Sequence, residues 1–182
     1  MIHLGRRNKI AHALSRHPAD FLRPCLTGIV LLIAALPKES LCAETVSRAE
    51  LAAFKPEPAQ SLVDNAIADN PDLLDVLLHV TPPGGRQNLV VASHIPANLG
   101  EISGADDLGV FSTGKPLVEV QKDGVRIGVL LQMFDEKKRP IGAIGIMFPW
   151  HSGDKQSRFL TRAKSIRNTL AKQIPSLSAL FG

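Results

Sequence analysis

The chain is 182 residues long, and its formal charge of +4 is unevenly spread: residues 1–43 hold six Lys/Arg against two Asp/Glu, while residues 44–182 hold fifteen of each. A neutral body of that length is large enough to bury one core without cross-links, and it lacks the basic stripe that a nucleic-acid binder needs. Both cysteines, Cys25 and Cys42, fall before residue 44, so the rest has no thiol, no disulfide and no cysteine metal site.

Arg6, Arg7, Lys9, Arg16 and Arg23 precede an apolar run, Leu26–Leu36, which is followed by Pro37-Lys38 and then Leu41-Cys42-Ala43. A basic region, a short apolar run and small residues near its exit predict a secretory signal peptide, with cleavage after Ala43. The run is too short for a bilayer, which needs about 20 residues in a helix. The long basic region leaves a retained N-terminal anchor as the alternative. Arg6-Arg7 lacks the apolar residues a twin-arginine signal requires, and Leu41 before Cys42 makes a poor lipobox. The expectation is export of a single domain, residues 44–182, to the periplasm or beyond.

Helical spacing follows over Val46–Phe54 and Ala59–Asn70, split by Pro56 and Pro58. Leu73–Thr81 alternates like a strand, with Leu74, Val76, Leu78 and Val80 on one face and Asp75, Leu77 and His79 on the other. Pro82-Pro83-Gly84-Gly85 predicts a turn, and Asn88–His94 a second strand. Ser103 is the expected cap of a short helix over Ala105–Ser112, with Asp106 and Asp107 suited to its N-terminal dipole and Gly114 as its stop. Three strands are then predicted over Pro116–Lys122, Val125–Phe134 and Arg139–Phe148. Asp123-Gly124 reads as a type I′ hairpin turn between the first two. A last helix, from Ser152 or Asp154 to about Gln173, places Phe159, Ala163, Ile166, Leu170 and Ile174 on one face. The predicted class is α+β: a five-stranded antiparallel sheet with helices on one side and an N-terminal helix in front.

A two-residue loop at Asp123-Gly124 pairs Lys122 with Val125, Val120 with Ile127 and Val118 with Val129. One face is then apolar, carrying Val118, Val120, Val125, Ile127, Val129, Leu131 and Met133. The other is mixed, carrying Leu117, Glu119, Gln121, Arg126, Gly128, Leu130, Gln132 and Phe134. If Ile144, Ile146 and Phe148 join the apolar face, Ala143 and Gly145 fall opposite Gln132 and Leu130. Small residues at Gly128, Ala143 and Gly145 then leave volume beside polar groups, as a small-molecule site requires. The other reading is a solvated outer face on which Glu119 and Arg126 form a weak cross-strand ion pair.

His79 at the end of the first predicted strand, and Ser93 and His94 at the end of the second, form a further candidate cluster if neighbouring strand ends meet. No histidine spacing matches a metal motif, no nucleophile elbow or paired-carboxylate motif appears, and no motif calls for a cofactor.

Leu74–Thr81 with Pro82-Pro83-Gly84, Val90–Pro96, Gly114–Val118 and the Pro140-Ile141-Gly142 hairpin together resemble single-Cache domains, the PAS-like sensor modules of bacterial exteriors. The resemblance spans roughly residues 60–150. It implies a PAS/Cache-like sheet with a C-terminal amphipathic helix, and a small organic ligand, often a carboxylate or amino acid, held on the sheet face. Arg126, Gln132, Glu119, His79, Ser93, His94 and Gly145 are the candidate ligand-binding residues, with Arg126 the expected partner of a carboxylate. With no second hydrophobic segment and no output domain in the sequence, the expectation is a non-enzymatic binding module, either a free periplasmic binding protein or one that hands its bound state to a membrane-protein partner. The alternatives are a haem protein with His79 or His94 as axial ligand, and a structural interaction subunit using the Glu119/Arg126 face.

Overall fold

The computed structural model describes residues 56–182. The expected signal peptide, its cleavage site, both cysteines and the helix expected over Val46–Phe54 all lie outside the described residues.

Helix α1, Glu57–Asp69, starts directly at the proline pair. Pro56 occupies the cap position and Pro58 the first turn, where a missing N–H removes no helical bond. Its apolar stripe of Ala59, Leu62, Val63 and Ala66 is buried. Strands β1, Asp75–Val80, and β2, Leu89–Ser93, follow. A 3₁₀ turn at Pro96–Asn98 leads to helix α2, Ala105–Thr113. Strands β3, Leu117–Val120, β4, Arg126–Phe134, and β5, Pro140–Pro149, form the meander. Helix α3, Gln156–Ala171, comes last.

The strands form one antiparallel sheet in the order β2-β1-β5-β4-β3. The expected α+β class and the expected five-stranded sheet are therefore what the chain forms. The meander register is also as expected: Val118 faces Val129, Val120 faces Ile127, Leu130 faces Gly145 and Gln132 faces Ala143. Parity decides this, because side chains alternate between faces and a one-residue slip would have exposed the whole apolar set.

Two local features differ. The β3–β4 turn is not type I′, since Gly124 has φ +71° while Asp123 does not enter the positive region. Gln121 and Arg126 close a longer loop in which Gly124 N–H donates to Gln121 O. Val125 is therefore exposed in the loop instead of joining the apolar face. Gly104, not Ser103, caps α2, and its N–H donates to Asp107 Oδ2 at 2.8 Å. Gly114, at φ +69°, ends this helix as expected.

The apolar face packs against α1 and α3. Val76, Leu78, Val80, Ile127, Met133, Ile144 and Phe148 are fully buried with Val63 and Ala163. Phe159 of α3 meets Phe148 at 5.4 Å and Trp150 at 5.6 Å between ring centroids. Each such side chain removed from water contributes about 1.5–3 kcal/mol. The helices are not all on one side, however. Gln132 Nε2 on the mixed face donates to Phe111 O, which draws α2 over the opposite surface of the sheet. That leaves a space between α2 and the middle of the sheet.

Candidate functional site

The space under α2 is a concavity of about 190 Å³. Leu77 and His79 of β1, Leu117 and Glu119 of β3, Gly128 and Leu130 of β4, and Gly145 and Met147 of β5 line it, together with Gln121 and Asp107. The strand alternation that buries one face against α1 and α3 sends these side chains to the other. Gly145 supplies the room, whereas the space over Gly128 is filled by the Gln121 amide, 3.1 Å from where a Cβ would stand. A Cβ at Gly145 would lie 3.5 Å from Leu77 Cδ1 and 3.8 Å from His79 Nε2, which is ordinary contact distance. The mixed face is thus concave at its centre, open on one side and edged by Asp107 of α2.

His79 carries the most specific chemistry. It is only 7% exposed and follows a bulge in the β1–β2 ladder, where the register shifts between Leu78 and His79. Ser103 Oγ donates to Asn88 Oδ1 at 2.6 Å, and Asn88 Nδ2 in turn reaches Thr81 Oγ1 at 3.4 Å. A hydroxyl has one proton. The 3.0 Å contact between Ser103 Oγ and His79 Nδ1 is therefore donated by the imidazole N–H. That tautomer leaves Nε2 as a bare lone pair turned toward the concavity. Burial holds the imidazole pKa below its ordinary value, while the carboxylates of Asp107, Glu101 and Asp75 pull the other way. Asp107 Oδ2 lies 3.7 Å from Nδ1.

The expected site residues do not all meet. His79, Glu119 and Gly145 line the concavity together. Gln132 sits beside it and holds α2 through the Phe111 carbonyl. Arg126 lies at the hairpin end, half exposed, with Nε bonded to Asp123 Oδ2 at 2.5 Å. The cross-strand pair with Glu119 does not form, because Glu119 faces Gly128 and Arg126 falls beyond the end of β3.

Ser93 and His94 are not brought to His79. Antiparallel pairing puts the end of β2 beside the start of β1, with Leu77 facing Ser93 and His79 facing Val90. There the Asp75 carboxylate accepts from Ser93 Oγ, His94 N, Ile95 N and Asn98 Nδ2. Burial nevertheless pushes this carboxyl above its usual range, against those donors. The His94 side chain is exposed.

Asp107, Ser103 and Gln121 are site residues that the sequence reading did not select. Asp107 and Ser103 belong to a segment whose docking on the sheet has no periodic signal. Gln121 stood on the mixed face without being singled out. Among the described residues, no three His, Cys, Asp or Glu side chains gather so as to hold a metal ion, and no helix is long and apolar enough to cross a membrane.

No protein-family model and no curated protein matches the sequence. Among solved structures, a GAF sensor protein from Burkholderia vietnamiensis is similar at 16% identity, covering 72% of this chain and 92% of its own, with a TM-score of 0.45. The inducer-binding domain of the PobR transcription factor from Acinetobacter, bound to 3-hydroxybenzoic acid, is similar at 11% identity over 67% and 98%, with a TM-score of 0.43. A type II free methionine-R-sulfoxide reductase from Thermoplasma acidophilum is similar at 14% identity over 66% and 92%, with a TM-score of 0.45. At these scores, ligand and activity have to be argued from the site itself.

Proposed function

We propose that this chain is an exported, sensor-type module of Cache-like character that binds one small organic molecule between α2 and the mixed face of the sheet. It reports that bound state to a membrane partner. The carrying observation is the concavity itself: apolar walls from Leu77, Leu117, Leu130 and Met147, volume left by Gly145, and the polar groups of His79, Asp107, Glu119 and Gln121. A mostly apolar hollow with a few placed polar groups is the usual form of a small-molecule site. Its size suits a single ring or a short chain, since a cavity of about 150 Å³ accepts benzene. Export rests on the basic region and short apolar run before Ala43.

Binding is favoured over nucleophilic catalysis by the arrangement around His79. Ser103 and Asp107 both approach Nδ1, and the Ser103 proton is directed to Asn88. A relay would need the hydroxyl on one ring nitrogen and the carboxylate on the other. Haem fits poorly, because the hollow of about 190 Å³ is smaller than the pockets of roughly 300–1,000 Å³ that take drug-sized ligands.

A thermal-shift screen of the full chain against carboxylates, amino acids, amines and purines tests the reading. A ligand that binds only the folded state raises the melting temperature, and the same ligand should lose its effect on Gly145→Leu. No shift with any class, or a shift that persists in that variant, would overturn the site.

A further inference from the structure

We infer that the concavity selects a small organic cation, an ammonium group on an apolar body, and not the carboxylate that the resemblance implied. This deepens the binding reading above and rests on it. Among the described residues, the charged side chains lining the hollow are Asp107 and Glu119, with neither lysine nor arginine beside them. Arg126, the expected carboxylate partner, is committed to Asp123 at the hairpin end.

The one amide donor on the lining, Gln121 Nε2, is turned to the backbone oxygen of Glu119, and the buried polar group facing the hollow, His79, points in the same direction as the charges. Ser103 and Asn88 fix His79 as the Nδ1–H tautomer, so Nε2 offers only a lone pair. His79 is buried, and no hydrogen bond among the described residues engages Nε2. A carboxylate ligand would meet that lone pair and two carboxylates, with no cation among the described lining residues to answer it. An ammonium brings three donors and a positive charge to a site that offers acceptors, and the partly enclosed position of Asp107, with a side chain 20% exposed, limits screening by water. Leu77, Leu117 and Leu130 supply an apolar wall of single-ring size.

Benzylamine, benzyl alcohol and benzoate share one ring and differ in charge, which makes them the probes. Calorimetric titration of the full chain should show benzylamine binding at least tenfold more tightly than benzyl alcohol, with benzoate weakest. Glu119→Gln and Asp107→Asn should each weaken benzylamine by at least tenfold and leave benzyl alcohol nearly unchanged. Both variants keep their side-chain shape, and the amide that replaces the Asp107 carboxylate still has an oxygen to accept the Gly104 N–H. Benzoate binding best, or benzyl alcohol matching benzylamine, would overturn the inference while leaving a ligand site intact. Failure of all three to bind would also overturn it, and the broader screen then decides the binding reading separately.

Discussion

Two glycines of β5 meet opposite constraints. A Cβ at Gly142 would lie 2.1 Å from the backbone oxygen of His79 and 2.8 Å from Val80 Cγ1, so β1 approaches too closely for any side chain. At Gly145 the nearest atoms are side-chain ends at 3.5 Å and beyond. Gly142→Ala is predicted to cost at least about 1–3 kcal/mol, as an overpacked core does. Gly145→Ala should change stability by less than about 0.5 kcal/mol yet weaken any ligand that fills the hollow. Urea denaturation of both variants checks this, and equal destabilisation would mean that the space at Gly145 is not open. Alternation in the sequence placed Gly145 on the mixed face, but the tightness at Gly142 comes from a cross-strand approach that no single strand pattern encodes. Arg126 shows the same limit. Its face is legible from parity, while its position beyond the end of β3, next to Asp123, depends on how the turn closes. For that reason Arg126→Gln is predicted to change ligand affinity less than about twofold, which titration of the best screening hit would check.

Among the elements, α2 is the one whose attachment decides whether a site exists. It buries a single side chain, Val110, so packing holds it weakly. Gln132 Nε2 donating to Phe111 O, and the left-handed cap at Gly114, fix its end against β4. Elements with few buried contacts open at lower free energy than the core. Gln132→Leu should therefore speed amide exchange across Ala105–Thr113 while costing about 1 kcal/mol of global stability, the worth of one net hydrogen bond. Ligand affinity should fall with it. Exchange mass spectrometry reads this directly, and unchanged protection in α2 would show that another contact holds the roof. The helix itself was legible from its acidic first turn and Gly114. Its docking was not, because a nine-residue helix with one buried residue has almost no apolar stripe to declare a face. Asp107 and Ser103 were missed for this reason, whereas the long stripe of α3 declared its buried face.

At the scale of the whole molecule, the site and the fold are linked through protons. Burial keeps His79 harder to protonate in the folded chain than in the unfolded one, where its pKa is near 6.5. The unfolded state therefore binds more protons between that value and the lower folded one, so stability rises with pH across this window. It is fully present above about 6.5 and is lost as pH falls through 6.5 toward the folded value, at no more than about 1.4 kcal/mol per pH unit. Asp75 acts in the opposite sense, because its raised carboxyl binds a proton more readily when folded and offsets part of the loss at lower pH, above 3.8. Asp72 and Asp123, lowered by Arg162 and by the Val125 N–H with Arg126 respectively, lose their contributions only as pH falls below 3.8. His79 is thus the buried group whose loss begins first on acidification from neutrality. The carboxylates that bear on it are Asp107 and Glu101 from the β2–α2 side and Asp75 on its own strand. Melting temperatures at pH 7.5, 6.5 and 5.5 should fall in the wild type and change less in His79→Gln, which retains a donor for Ser103 but does not titrate. Parallel slopes in the two proteins would show that His79 is not held neutral by its surroundings, and the bare Nε2 on which ligand selection rests would go with it.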